Sequence, residues 1–239
     1  MKTNRKIDRD IVCLKKAFLA TIPVMAGYIV LGIGFGMLLQ TRGYGVLWAF
    51  AMSFFIFAGS MQYVAIDLLT GGVSLLATAL TTVAVNARHL FYGISMVDKY
   101  KAQSGVVKRH FLFWTLTDET YSLVCSEEPE RSGNPSAYYF YVSIFDYSYW
   151  VLGSVIGSLL GEVLPFSTEG IDFSLTALFL TVFVEQWLTT KNHLAAIVGV
   201  VSSVLFLLLF GSDKFLIPAM VLIAGSLILL RKKEGITNE

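Results

Sequence analysis

The stretch AFLATIPVMAGYIVLGIGFGMLLQ, Ala17 to Gln40, carries no charged residue. About 20 apolar residues suffice for a helix to cross a hydrocarbon layer of roughly 30 Å. The stretch is too long for a signal-peptide core, and no small-residue cleavage site ahead of a polar domain follows it, so it should remain as a span. Further apolar segments run at Val46 to Leu69, Val73 to Val97, His110 to Cys125, Ala137 to Leu160, Phe173 to Leu188, Leu194 to Phe210 and Phe215 to Leu230. Short turns carrying Gly, Asp, Ser or Pro join most of them. Lipid leaves backbone polar groups unsatisfied, and the alternating pattern of a barrel strand is absent, so helices are the spanning element expected.

Composition agrees. Of 239 residues 55% are hydrophobic and 15% charged, the mean hydropathy is +0.67, and 18 Lys and Arg face 17 Asp and Glu. That balance argues against a soluble enzyme and against a nucleic-acid partner. The expected class is all-α: one polytopic helical domain over 17–230, a basic cytoplasmic tail over 1–16 and a basic tail over 231–239. Cys13 and Cys125 form neither a metal pattern nor a disulfide framework.

Basic residues gather in the N-terminal tail, between Lys99 and Arg109, around Arg131 and Lys191, and at Arg231 to Lys233. Placing all of them on the cytoplasmic side requires that one of the first three segments fail to cross fully. It also requires that His110 to Cys125, with Thr117-Asp118-Glu119-Thr120 in its middle, dip or lie at the interface. About six full crossings plus broken or re-entrant pieces result, and broken helices at membrane depth occur where protein or a water-filled cavity covers them.

Six ionised residues fall inside apolar segments: Asp67, Arg88, Asp118, Glu119, Asp146 and Glu185. Facing lipid, each would cost roughly 2.5 to 3.5 kcal/mol at a helix centre. Most must therefore face protein, water or a partner subunit. In TTVAVNARHLFYGISM, Thr81 to Met96, helical spacing lines up Thr78, Thr82, Asn86, His89 and Gly93, with Arg88 on an adjacent face. Two roles are open to Arg88. It either offers a planar donor fork to a substrate carboxylate or snorkels with His89 to the membrane edge.

In Phe57-Ala58-Gly59-Ser60-Met61-Gln62 the small residues permit either a helix break or close helix packing. Asp67 reads as an interfacial end residue, because Thr70-Gly71-Gly72 follows. Asp118 and Glu119 point about 100° apart on a helix, and either is a protonatable group or part of a cap at Thr117. Tyr138, Tyr139, Tyr141, Tyr147, Tyr149 and Trp150 read as an interfacial aromatic belt spilling into the bundle. Gly153, Gly157 and Gly161, four apart, make a smooth face for a helix of this chain or of a partner. Asp146 and Glu185 are isolated acids open to a proton or partner role. Enzyme signatures are missing: there is no HExxH, no GxSxG and no phosphate-binding loop, and neither His89 nor His193 has metal-site neighbours.

FAGSMQYVAIDLL (Phe57 to Leu69), TTVAVNARHLFYGIS (Thr81 to Ser95), TDETYSL (Thr117 to Leu123), YWVLGSVIGSLLG (Tyr149 to Gly161) and IDFSLTALFLTVF (Ile171 to Phe183) resemble, together and in order, the AzlC family. That family is the large subunit of bacterial branched-chain amino acid exporters. The resemblance implies a multi-pass protein of the bacterial cytoplasmic membrane that exports branched-chain or similar apolar amino acids on the proton gradient. It implies a small partner subunit of the AzlD type and no cofactor. It also implies that Gly59, Ser60, Gln62, Asn86, Arg88, His89, Asp118 and Glu119 are motif positions. On these expectations the first six bind substrate, while Asp118 and Glu119, then Asp146 and Glu185, are the acids to test for proton coupling. The rival class is a non-transporting membrane scaffold or channel subunit.

Overall fold

The computed structural model describes residues 2–101, 103, 105–125, 128–163 and 192–211, together with 180, 183–184, 187–188, 215, 218–219, 221–223, 225–227 and 229. Side chains of 2–9, 84 and 128 are outside this description. Among the described residues the fold is all helix, without strands. In chain order the helices are α1 Lys2–Thr41, α2 Val46–Phe55, α3 Gly59–Thr70, α4 Leu75–Lys101, α5 Val106–Trp114, α6 Asp118–Val124, α7 Glu128–Arg131, α8 Pro135–Val163 and α9 Leu194–Phe210. The helix α1 begins at Lys2, within the basic start of the chain, and Cys13 is fully buried.

Contacts divide the chain into two compact units, Met1–Gly72 with Asn86–Leu175, and Val73–Val85 with Thr176–Glu239. In the first unit α1 and α8 form the most extensive helix pair. Their backbones meet along glycine. A Cβ on Gly157 would sit 2.1 Å from the Ile33 carbonyl oxygen, and one on Gly36 would sit 2.0 Å from the Ser154 carbonyl oxygen. A Cβ on Gly153 would sit 2.9 Å from the Ile29 carbonyl oxygen, and Gly161 lies against Met37 and Gln40. The small-residue face of α8 is therefore filled by α1 of the same chain, the close approach that four-residue glycine spacing allows.

The aromatic run on α8 is a correction to the expected interfacial belt. Tyr138, Tyr139, Tyr147, Tyr149 and Trp150 are all buried. Tyr138 and Tyr139 join Cys13, Ala17, Met96, Tyr100, Leu112, Leu116, Val124 and Val142 in one apolar cluster drawn from α1, α4, α5, α6 and α8. Tyr147 donates to the Phe54 carbonyl at 2.7 Å, and Trp150 donates to Gln62 Oε1 at 2.8 Å. Their polar ends are satisfied by protein, so these rings pack the bundle instead of lining its water boundary.

The outside of the helices is apolar. On α4, Leu75, Leu76, Val83, Leu90, Phe91 and Ile94 are exposed, and in the second unit α9 exposes Leu205, Leu207, Leu208, Leu209 and Phe210. Soluble monomers rarely leave such continuous apolar surface facing water. A helix apolar all round belongs in a core or in a bilayer. Among the described residues one helical stretch, Asp10–Thr41, is by itself long and apolar enough to span.

Gly157→Ala should lower the stability of the detergent-solubilised protein, because its Cβ meets a backbone oxygen that cannot swing away. Overpacking of this kind costs roughly 1–3 kcal/mol. Gly27→Ala on α1, with nothing within 4 Å of its Cβ, serves as control and should leave the melting temperature unchanged or raised. Equal melting temperatures for both variants would contradict the α1–α8 packing described.

Candidate functional site

Two helix breaks build the site. The second apolar segment stops at Phe55 and restarts at Gly59, and between them Phe57 has φ 45°, a left-handed backbone uncommon for a bulky residue. Two contacts hold this break. The Phe57 ring is buried against Tyr147 with centroids 4.9 Å apart, and the Ala58 N–H donates to Gln62 Oε1 at 3.2 Å. Gln62 is fully buried. It accepts from both Ala58 and Trp150, and its Nε2 donates to Ser53 at 3.3 Å. The structure thus places Gln62 as the brace of the break, with its amide spent on protein partners. Gly59 sits beneath the Trp150 indole, where a Cβ would be 3.0 Å from the ring.

The second break divides the polar segment: α5 ends at Trp114 and α6 begins at Asp118. Thr117 caps α6, its Oγ1 accepting from the Thr120 N–H at 3.3 Å, the role its residue type favours. The cap fixes the directions of the next two carboxylates. Asp118 turns to α4, where its Oδ2 pairs with Arg88 Nη1. Glu119 turns to α1, where its Oε2 accepts from the Tyr28 hydroxyl at 2.7 Å.

Arg88 joins both breaks. Its Nη2 donates to Ser60 Oγ on α3 at 2.8 Å, while Nη1 holds Asp118 on α6. Three groups from separate stretches, Ser60, Arg88 and Asp118, therefore meet at one point, and both members of the ion pair are only partly buried. Two atoms of the pair are buried yet have no hydrogen-bond partner among the described residues: Arg88 Nε, a donor, and Asp118 Oδ1, an acceptor. Buried polar groups are otherwise nearly always bonded, and leaving one unmade costs roughly 1–3 kcal/mol. The pair thus presents one open donor and one open acceptor, complementary to a molecule carrying an anion and a cation on neighbouring atoms. A guanidinium also offers a carboxylate its planar fork.

His89 and Asn86 lie one turn apart on α4, with His89 Nδ1 3.3 Å from the Asn86 carbonyl oxygen, and His89 edge-on to Tyr92. Asp146 is fully buried on α8, its Oδ2 accepting from Thr120 at 2.8 Å. Asp67 lies at the far end of α3, largely exposed, 3.8 Å from Arg42. Glu185 lies outside the described residues. Among the described residues no three His, Cys, Asp or Glu side chains cluster as a metal site would.

Tyr28 was not legible as a site residue: it is one hydroxyl in a long apolar helix. The only sequence signal is that a phenol buried in lipid or protein needs a partner.

The AzlC protein family matches residues 23–164. The branched-chain amino acid transport protein AzlC of Bacillus subtilis is 41% identical over 218 residues, 91% of this chain and 85% of that protein. An uncharacterised membrane protein of Helicobacter pylori is 40% identical over 219 residues, 92% of this chain and 95% of its own length. The inner membrane protein YgaZ of Escherichia coli is 27% identical over 207 residues, 84% of this chain and 82% of that protein. No solved structure matches.

A double-mutant cycle tests the pair itself. Arg88→Leu and Asp118→Leu should each destabilise the solubilised protein, because each strands the other's charge, while the double variant should recover part of the loss. The expected coupling is about 1 kcal/mol, as for a partly exposed ion pair with good geometry. Strictly additive losses in thermal melts would show that the two side chains do not interact.

Proposed function

The chain belongs to the AzlC family, and from that premise we propose that it is a transporter subunit that exports branched-chain or similar apolar amino acids in exchange for protons. It works with a small membrane subunit of the AzlD type. The observation that carries this proposal is the unpartnered Arg88 Nε beside the unpartnered Asp118 Oδ1. An α-amino acid brings a carboxylate acceptor and an ammonium donor on neighbouring atoms, and so completes both valences at once. The name of the Bacillus subtilis relative supports the substrate class. Aromatic and aliphatic side chains around the breaks, among them Tyr92, stacked on Tyr121 with centroids 4.6 Å apart, supply apolar surface for a hydrocarbon side chain.

Energy comes from the membrane in this proposal. One elementary charge moved through 100 mV gains about 2.3 kcal/mol, enough for roughly a 50-fold gradient of substrate. Asp118, Glu119 and Asp146 are the acids positioned to take up a proton as the site changes its facing, and Glu185 stays in the set as a fourth. Asp118 links the two tasks, since a substrate ammonium and a proton compete for the same oxygen.

Cells loaded with dipeptides of leucine, isoleucine, valine or methionine provide the test. Co-expression of the chain with its small subunit should lower internal accumulation of the released amino acid, and the chain alone should do so poorly. Arg88→Lys, present in the membrane at normal amounts, should raise the half-saturating concentration about 10-fold, the equivalent of one lost hydrogen bond of about 1.4 kcal/mol. Transport by the Lys variant at wild-type affinity would remove Arg88 from the substrate. Unchanged accumulation with both subunits present would favour the scaffold or channel class instead.

A further inference from the structure

Glu119 and Asp146 are joined by an unbroken row of hydroxyl oxygens. Tyr28 Oη lies 2.7 Å from Glu119 Oε2 and 2.6 Å from Thr117 Oγ1. Thr117 Oγ1 lies 3.2 Å from Thr120 Oγ1, which lies 2.8 Å from Asp146 Oδ2. The row has four oxygen-to-oxygen links and three hydroxyls. Each hydroxyl contributes one hydrogen, and an ionised carboxylate contributes none. Three hydrogens cannot fill four links: with both acids ionised they fill the three short ones, and the 3.2 Å Thr117–Thr120 contact is left with lone pairs facing each other.

A hydrogen that closes this fourth link has to come from one end of the row. If Glu119 carries it, Glu119 donates to Tyr28, Tyr28 to Thr117, Thr117 to Thr120, and Thr120 to the Asp146 carboxylate. If Asp146 carries it, every bond reverses and Tyr28 donates to the Glu119 carboxylate. The two arrangements differ by the transfer of one proton along the row, with no heavy atom displaced and no net change in charge.

We infer that Glu119 and Asp146 share a single proton through Tyr28, Thr117 and Thr120, which together form a relay between the half-buried end at Glu119 and the fully buried end at Asp146. Its use in coupling rests on the transport proposal above; the shared proton does not. Among the described residues the charged and titratable groups beside the row include Arg88, His89 and Tyr92 on α4 and Asp118 on α6. Arg88 is committed to Asp118 and Ser60. On α8, Tyr147 bonds to the Phe54 carbonyl and Tyr149 to Thr21, so neither phenol supplies the missing hydrogen. Among the described residues Asp146 Oδ1 is buried without a hydrogen-bond partner, so no further donor supports a full charge there.

Infrared spectroscopy of the full chain in lipid nanodiscs near neutral pH tests this, because a protonated carboxyl has its own carbonyl stretch. The relevant band is the one that disappears in Glu119→Gln/Asp146→Asn. An amide at either end supplies the fourth hydrogen, leaving the opposite acid ionised. Either single variant, Glu119→Gln or Asp146→Asn, should therefore abolish the whole band. Tyr28→Phe removes two links and one hydroxyl, which leaves two links for two hydrogens, so it too should abolish the band; thermal melts confirm folding of each variant. Survival of the band in any of the three single variants would mean a proton resident on one acid and overturn the relay. So would its absence from the wild type, the result if the 3.2 Å Thr117–Thr120 contact holds no hydrogen. The spectra need no substrate, so failed export in cells would strike the transport proposal while leaving this result standing.

Discussion

An arginine inside an apolar bundle has to be paired, and the pairing of Arg88 with Asp118 organises the rest of the first unit. Arg88 is fixed on α4, in the middle of a 27-residue helix. To reach it, Asp118 has to start a new helix inside the bundle, which requires the break after Trp114 and the cap at Thr117. Ser60 reaches the second guanidinium nitrogen because α3 also starts there, after the break at Phe57. Interrupted helices expose backbone that lipid cannot satisfy, so the surrounding protein must cover them. The covering is supplied by α1 and α8, whose glycine contact brings Tyr28, Asp146, Tyr147 and Trp150 against the two breaks.

Rigid scaffold and open site are thus separate in the fold. Among the described residues both polar atoms of the Gln62 side chain have partners, and two atoms of the Arg88–Asp118 pair do not. A fully satisfied network fixes geometry, whereas unmade bonds are kept open at a cost that a ligand can recover. That contrast divides the family motif residues, which contain both kinds.

Much of this was legible in the sequence because it is local. Thr117-Asp118-Glu119-Thr120 inside an apolar run announces a broken helix, and the Gly153, Gly157, Gly161 spacing announces a packing face. Arg88 stood out because charge in an apolar segment is costly. What the sequence does not reveal is pairing over distance. Nothing near Gly157 says that Ile33 and Gly36 lie against it, and nothing near Gln62 points to Trp150, 88 residues away. The aromatic run from Tyr138 to Trp150 has the composition of an interfacial belt, and only its burial, with the hydrogen bonds of Tyr147, Tyr149 and Trp150, assigns it to the core. Asp146 read as isolated because its partner, Thr120, lies on another helix.

Recognition of a zwitterion by one donor and one acceptor side by side is the central claim, and ligand-induced thermal stabilisation of the purified protein measures it most directly. Leucine should raise the melting temperature. Isoamylamine, which lacks the carboxylate, and 4-methylvalerate, which lacks the ammonium, should not raise it at equal concentration, because each leaves one buried valence of the Arg88–Asp118 pair unmade. Equal stabilisation by all three compounds would show that the apolar side chain alone is recognised, and would contradict the account.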